Sequence, residues 1–110
     1  MADLMSDEAV EKTLRGLDGW NHDDVGFDIE ISSSNRGMKN VHKEFNFNSF
    51  QSAVTFVQHV GSIAGEMGHY PDILITSDGK VKITCTTKDV GGVTENDIAL
   101  IESLEILVNA

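Results

Sequence analysis

The apolar positions of the 110-residue chain recur every three to four residues in three separate segments. This spacing predicts amphipathic helices over residues 6–17, 49–68 and 94–108. The stripe of the central helix comprises Phe50, Ala53, Val54, Val57, Val60, Ala64 and Met67, with Phe56 and Ile63 on a second apolar face. The last helix has its apolar side at Ile98, Ile101, Leu104, Ile106 and Leu107.

Capping residues mark the ends of these helices. Ser6 is a natural N-cap for the first helix, and Ser49, or Asn48 before it, for the second. Gly68 predicts the C-terminus of the long helix, and Pro71 forbids its continuation. In the last helix, Thr94 followed three residues later by Asp97 resembles a capping box.

Between the helices, apolar and polar residues alternate with period two, which is the spacing of half-buried strands. Two such segments, residues 26–33 and 40–48, predict a first antiparallel hairpin. Residues 72–87 predict a second hairpin, with Asp78 and Gly79 as a two-residue turn.

The predicted order is therefore α-β-β-α-β-β-α, in a single domain that covers residues 1–110. Strands that come in hairpins favour the α+β class, with a four-stranded antiparallel sheet and helices packed on one face. Such a sheet has two edges, and an edge strand pairs readily with a second copy. A homo-oligomer is therefore expected.

Composition argues against several classes of function. The net charge of −10 would repel phosphate backbones, which argues against nucleic-acid binding. Membrane contact is disfavoured because no apolar run approaches 18 residues. Cys85 is the only cysteine, so no intramolecular disulfide can form, and no secretory signal is visible at the N-terminus. A cytoplasmic protein is the expectation.

Several kinds of chemical site are disfavoured by residue spacing. Glu66 and His69 form a Glu-x-x-His pair, but a di-iron site needs a second such pair and further carboxylates. The other histidines, His22, His42 and His59, lack metal-ligand spacing. Cys85 lies on the apolar side of a strand, as a core thiol does. No phosphate-binding glycine loop is present, and we predict neither a metal nor a bound cofactor.

Acid–base chemistry around His69 remains. This residue lies between the long helix and the next strand, where a concave pocket can form. Tyr70 follows it directly, and Lys88 and Asp97 follow the last strand. The alternative is a solvated helix C-terminus, at which a histidine stabilises the helix dipole.

The segments GHYPDI, KVKITCTTKD and GGVTENDIAL resemble the pterin-4a-carbinolamine dehydratase family, whose enzymes are 4a-hydroxytetrahydrobiopterin dehydratases. The resemblance covers nearly the whole chain. It implies the same α-β-β-α-β-β-α fold, dimers or tetramers formed through sheet edges and the long helix, and lyase chemistry on a pterin.

The family signature has an ionisable residue, three spacer residues and then His-His-Pro, with a third histidine after the last strand and an aspartate nine residues later. His69, Pro71 and Asp97 match this signature. Tyr70 and Lys88 stand where the second and third histidines are expected. At the ionisable position the chain has a glycine, and the nearest acid is displaced by one residue.

These departures affect the chemistry that the resemblance implies. Dehydration of a carbinolamine requires a proton for the leaving hydroxyl and removal of a ring N–H proton. An ordinary histidine titrates near pH 6.5 and can do either, whereas tyrosine and lysine titrate near 10 and 10.4. Each acid–base partner is worth about 10²–10⁴-fold in rate.

Two functions follow. The sequence favours a non-catalytic, protein-binding member of the family, because two of the signature histidines are missing and the net charge is −10. Degenerate proteins that resemble this family act as Rubisco assembly factors encoded with carboxysome genes, and by this analogy the client would be the Rubisco large subunit. The alternative is a dehydratase in tetrahydrobiopterin recycling, with a pterin ligand. In the dehydratase, His69 would be the acid–base group and Lys88 its partner, while Asp97 orients the loop or caps the helix.

Overall fold

The computed structural model describes residues 3–23 and 39–109. In these residues the elements are α1 (Asp7–Leu14), β1 (Asn21–Asp23), β2 (Asn40–Asn46), α2 (Phe50–Met67), β3 (Asp72–Ile75), β4 (Lys80–Cys85) and α3 (Glu95–Asn109). The predicted α-β-β-α-β-β-α order and the α+β class are confirmed. The strand predicted over residues 26–33 lies outside the described residues, and the first strand that the structure describes is β1.

The four strands form one antiparallel sheet in the order β1-β2-β4-β3. The central pair aligns Val41 with Cys85 and Phe45 with Val81, so their side chains point to the same face. This face joins helical residues such as Val10, Val60 and Leu104 in one core. The described helices thus cover one side of the sheet, as predicted.

Local capping sets the ends of α2. The Ser49 side chain accepts a hydrogen bond from the Ser52 N–H at 3.1 Å. Gly68 adopts φ 65°, the left-handed conformation that glycine accommodates best, and its N–H bonds back to the carbonyls of Ala64 and Gly65. The chain therefore leaves the helix after Met67, two residues before His69. No helix in the described part of the chain is long and apolar enough to cross a bilayer.

The buried face of α2 agrees with the predicted stripe at Ala53, Val60 and Ala64 and differs from it at Phe56 and at the two ends. Its buried residues are Ala53, Phe56, Val60 and Ala64, whereas Phe50 and Met67 are 46% and 38% exposed. The helical spacing predicts Phe56 on a second face, but its ring packs against Phe45 and Phe47, at centroid distances of 5.0 and 4.9 Å. The aromatic residues of β2 thus determine which side of α2 faces the sheet.

The turn between β3 and β4 is longer than the predicted two residues. The Thr76 N–H bonds to the Lys80 carbonyl at 2.9 Å, which leaves three residues, 77–79, in the loop. Gly79 has φ 91°, and a Cβ at that position would lie 2.7 Å from the Phe47 carbonyl oxygen. A three-residue hairpin loop with a left-handed glycine fits this backbone better than a two-residue turn.

In α3, the predicted apolar side is correct for Ile98, Ile101 and Leu104, which are buried. It is wrong for Ile106, which is 72% exposed, while Leu100 is completely buried instead. Residues at i, i+3 and i+4 share a helix face, so a core that includes positions 97, 100, 101 and 104 turns position 106 outward. Asp97, a carboxylate with no exposed surface, lies on this buried face.

Candidate functional site

The strand pairing brings together two segments that are far apart in sequence. Asp72 pairs with Thr84 across β3 and β4, so the chain before β3 lies beside the chain after β4. His69 and Tyr70 are in the first segment and Lys88 in the second. Asp97 follows in the first turn of α3.

A short hydrogen bond joins His69 to Asp97. His69 Nε2 and Asp97 Oδ1 are 2.6 Å apart, although 28 residues separate the two in sequence. The histidine side chain is 17% exposed and the aspartate is completely buried. Because an ionised carboxylate only accepts hydrogen bonds, Nε2 carries the proton in this contact.

The second oxygen of Asp97 caps α3. Oδ2 accepts the Thr94 N–H at 2.9 Å, which confirms the predicted carboxylate-to-backbone half of the capping box. Oδ2 also accepts the Thr87 hydroxyl at 2.7 Å. Thr87 was not singled out from the sequence, where its position beside Lys88 was the only signal available. Asp97 therefore serves the helix and His69 at once.

Tyr70 and Lys88 border the same pocket without joining this network. Tyr70 is 69% exposed and Lys88 is also exposed. Neither side chain makes a hydrogen bond or an ion pair with the residues that the structure describes. The pocket has a volume of about 250 Å³, opens to solvent, and is lined by Gly68, His69, Tyr70, Thr86, Thr87, Lys88 and Asp89.

The site thus brings together all four residues singled out from the sequence, but only His69 and Asp97 touch. The pair can move one proton, since Asp97 stabilises a positively charged imidazole and holds its ring. Tyr70 and Lys88 add two side chains with protons to donate at the pocket wall. Glu66 is exposed and does not line the pocket. Within the described ranges, no group of three or more His, Cys, Asp or Glu could hold a metal ion.

Cys85 lies behind the site and not in it. It has no exposed surface and belongs to the core, as predicted. Burial raises its pKa well above the ordinary value of 9.0, and the carboxylates of Asp97 and Asp72 raise it further. A thiol in this environment is a poor nucleophile.

The structure is a four-stranded α+β domain in which a histidine at the pocket wall is hydrogen-bonded to a buried aspartate. The chain belongs to the pterin 4 alpha carbinolamine dehydratase family, which it matches over residues 3–107. It is 34% identical to the pterin-4-alpha-carbinolamine dehydratase homologue of Roseiflexus sp. (strain RS-1), over 96% of this chain and 97% of the relative.

Solved structures share the fold. The transcriptional coactivator/pterin dehydratase from Brucella melitensis aligns with a TM-score of 0.75 and 24% identity, over 94% of this chain and 97% of that one. A pterin dehydratase-like protein identified as a RuBisCO assembly factor in the alpha-carboxysome aligns with a TM-score of 0.59 and 20% identity, over 83% and 90%. At these identities the likeness is one of fold.

Proposed function

We propose that the chain is a 4a-hydroxytetrahydrobiopterin dehydratase that works with a reduced acid–base set, the pair His69–Asp97. One observation carries this proposal. Capping α3 uses only Oδ2 of Asp97, yet Oδ1 is also buried and bonded, to the one histidine that lines the pocket. A buried carboxylate is costly, and one that holds a pocket histidine is more typical of an active site than of a helix cap.

The reaction needs one proton removed and one delivered. The C–O bond of the carbinolamine breaks, its electron pair leaves with the hydroxyl, and that hydroxyl gains a proton to become water. The ring nitrogen loses its proton, and a C=N bond forms in the pterin. His69 would accept the ring proton while Asp97 stabilises the resulting imidazolium. Lys88 or Tyr70, both at the pocket wall, would supply the proton for the leaving hydroxyl.

The same geometry predicts a slow enzyme. Tyr70 and Lys88 stand where the family signature has histidines, and each acid–base group is worth about 10²–10⁴-fold in rate. We therefore expect the wild-type chain to accelerate dehydration measurably, but less than a three-histidine relative. The double variant Tyr70→His, Lys88→His should be faster than the wild type.

Stopped-flow dehydration of 4a-hydroxytetrahydropterin tests the proposal. His69→Gln should abolish the acceleration, because the pocket loses the one imidazole among its described lining residues. His59→Gln is the matched control, since His59 is exposed on α2 away from the pocket, and it should leave the rate unchanged. Wild-type protein that does not accelerate the reaction, or a His69→Gln variant as fast as wild type, would refute the enzyme.

A second candidate is a non-catalytic assembly factor with the Rubisco large subunit as client. It is supported by the exposed Tyr70 ring, 69% accessible and without a hydrogen bond, beside the exposed Lys88. Tyrosine in such a position is a frequent anchor of protein interfaces. The fold neighbour identified as a RuBisCO assembly factor gives the analogy. A homodimer or homotetramer remains our prediction for either function.

The client proposal is tested with the Rubisco large subunit itself. Tyr70→Ser should weaken binding in a titration and lower the yield of assembled enzyme. Ile106→Ser is the matched control, because Ile106 is equally exposed but lies on α3 outside the pocket. Wild-type protein that neither binds the large subunit nor raises its assembly yield would exclude this function.

A further inference from the structure

The hydrogen bonds behind the pocket have only one consistent direction. Thr87 Oγ1 lies 2.7 Å from Asp97 Oδ2 and 2.8 Å from Thr94 Oγ1. A carboxylate cannot donate, so the single hydroxyl proton of Thr87 goes to Asp97. The Thr94 hydroxyl must then donate to Thr87, while its own oxygen accepts the Asn96 N–H at 3.2 Å. The chain of donors runs from Thr94 through Thr87 to Asp97.

Because of this direction, the two Asp97 oxygens have different hydrogen-bond partners. Oδ2 is occupied by the Thr94 N–H and the Thr87 hydroxyl. Oδ1 remains as the acceptor for His69 Nε2. The Thr87 hydroxyl and the Thr94 N–H together hold the carboxylate with Oδ1 toward the histidine.

The tautomer of His69 follows from that arrangement. With a proton fixed on Nε2, the neutral ring has its lone pair on Nδ1. Nδ1 makes no hydrogen bond to any described residue, and it is not among the buried polar atoms that lack a partner. His69 lines the pocket, so Nδ1 is the ring atom available to a ligand there.

We propose that Thr87 is a positioning residue, which through Asp97 sets the His69 tautomer so that Nδ1 is the atom that exchanges a proton in the pocket. The catalytic consequence rests on the proposed dehydratase function; the tautomer does not. Loss of the Thr87 hydroxyl would leave Oδ2 with the Thr94 N–H alone, so that the carboxylate can turn away from Nε2 and the released ring can take either tautomer.

Long-range ¹H–¹⁵N NMR of the histidine ring tests the tautomer directly. His69 is assigned by comparison with His69→Gln, and its neutral form should be protonated at Nε2. Thr87→Ser keeps the hydroxyl and should keep that tautomer, whereas Thr87→Val should show both tautomers, with a fraction of Nδ1–H that the wild type lacks. Thr55→Val is the matched control, because the Thr55 hydroxyl bonds only to the backbone of the exposed α2 surface.

The rate measurement adds a second readout. Thr87→Val should lower kcat/KM about 10- to 100-fold, as losses of outer hydrogen bonds that orient metal-bound histidines do, and Thr87→Ser should restore it. Neutral His69 protonated at Nδ1 in the wild type overturns the proposal without any variant, as does a Thr87→Val ring identical to wild type. The expected tautomers in a protein without dehydration activity would support the positioning role and refute the enzyme.

Discussion

Glu105 joins three parts of the fold, and its removal should lower the free energy of unfolding substantially. Its Oε2 accepts the Trp20 indole N–H at 2.9 Å and the Lys43 ammonium at 2.8 Å. These contacts join α3 to β2 and to the segment before β1. Lys43 also lies 4.9 Å from the centre of the Phe45 ring. The Glu105 and Lys43 side chains are only 17% and 18% exposed.

The structure gives the size of the effect for Glu105→Ala. The variant leaves a buried indole N–H without a partner, at a cost of about 1–3 kcal/mol. It also leaves the Lys43 ammonium unpaired. That loss costs about 3–5 kcal/mol for a buried pair and about 0–1 kcal/mol for a surface pair. Both side chains are about four-fifths buried, so the cost of the unpaired ammonium lies between these two limits. Because this cost and that of the indole N–H are not additive, we expect a total loss of about 2–4 kcal/mol.

Urea unfolding followed by far-UV circular dichroism measures this cost. Glu102→Ala is the matched control on the exposed side of α3 and should change stability by less than about 0.5 kcal/mol. Lys43→Met keeps the aliphatic packing, so a cycle of the two single variants and the double variant isolates the ion pair. The reasoning fails if Glu105→Ala costs no more than Glu102→Ala.

Three further predictions use single side chains. Thr84 Oγ1 is buried without a hydrogen-bond partner, so Thr84→Val should stabilise the fold by about 1 kcal/mol in urea, and a loss of stability would contradict this. Because its pKa is raised, Cys85 should stabilise the fold fully below pH 9.0 and progressively less as pH rises through the folded pKa. Because the thiol is buried, Ellman's reagent should label Cys85 no faster than the protein unfolds. Rapid labelling of the native protein would contradict this prediction. The Thr76 hydroxyl lowers the pKa of Asp78 below 3.8. The stabilisation that the Asp78 carboxylate contributes is therefore present above pH 3.8 and is lost as pH falls through the folded pKa. NMR titration of Thr76→Val should show a higher pKa for Asp78, and an unchanged pKa would contradict the prediction.

Sequence patterns were sufficient wherever local chemistry decides the structure. Ser49 and Gly68 cap α2 as predicted, because their own backbone and side-chain preferences end a helix regardless of what packs on it. The Thr94–Asp97 cap is local in the same way, three residues apart. Element order followed from these ends together with the two periodicities.

The same patterns failed where packing decides. Helical spacing could not distinguish the face of α2 that includes Phe50 from the one that includes Phe56, because both are apolar. The rings of Phe45 and Phe47, on another element, make the choice. The length of the β3–β4 turn likewise depends on the backbone of Phe47, which approaches Gly79.

For the site, chain position and the family resemblance single out four residues, but only the folded structure shows that two of them touch. Tyr70 and Lys88 match the signature by position and stand apart from the network, whereas Thr87 is absent from the signature and lies within it. From the sequence alone, a role as a helix cap is sufficient to explain Asp97. The contact of Oδ1 with His69 depends on how α3 packs beside the end of α2, which no local pattern contains.

Asp97 both caps α3 and binds His69, and Asp97→Asn should separate the effect on stability from the effect on rate. An amide has one oxygen and one NH₂ group. If its oxygen keeps the two donors at the Oδ2 position, the NH₂ group faces His69 and donates to Nε2. Nε2 must then be the acceptor, which moves the ring proton to Nδ1, the atom that we propose for catalysis.

The expected result is a modest cost in stability and a large cost in rate. Because both contacts of the cap survive, unfolding in urea should change by about 1–2 kcal/mol, the effect of exchanging a charged hydrogen bond for a neutral one. Dehydration should fall by far more, toward the 10⁴-fold loss that a wrong histidine tautomer causes in serine proteases. His69→Gln keeps Asp97 intact as a cap and is the comparison for stability. A variant Asp97→Asn that loses stability but keeps its rate would show that Asp97 only caps α3.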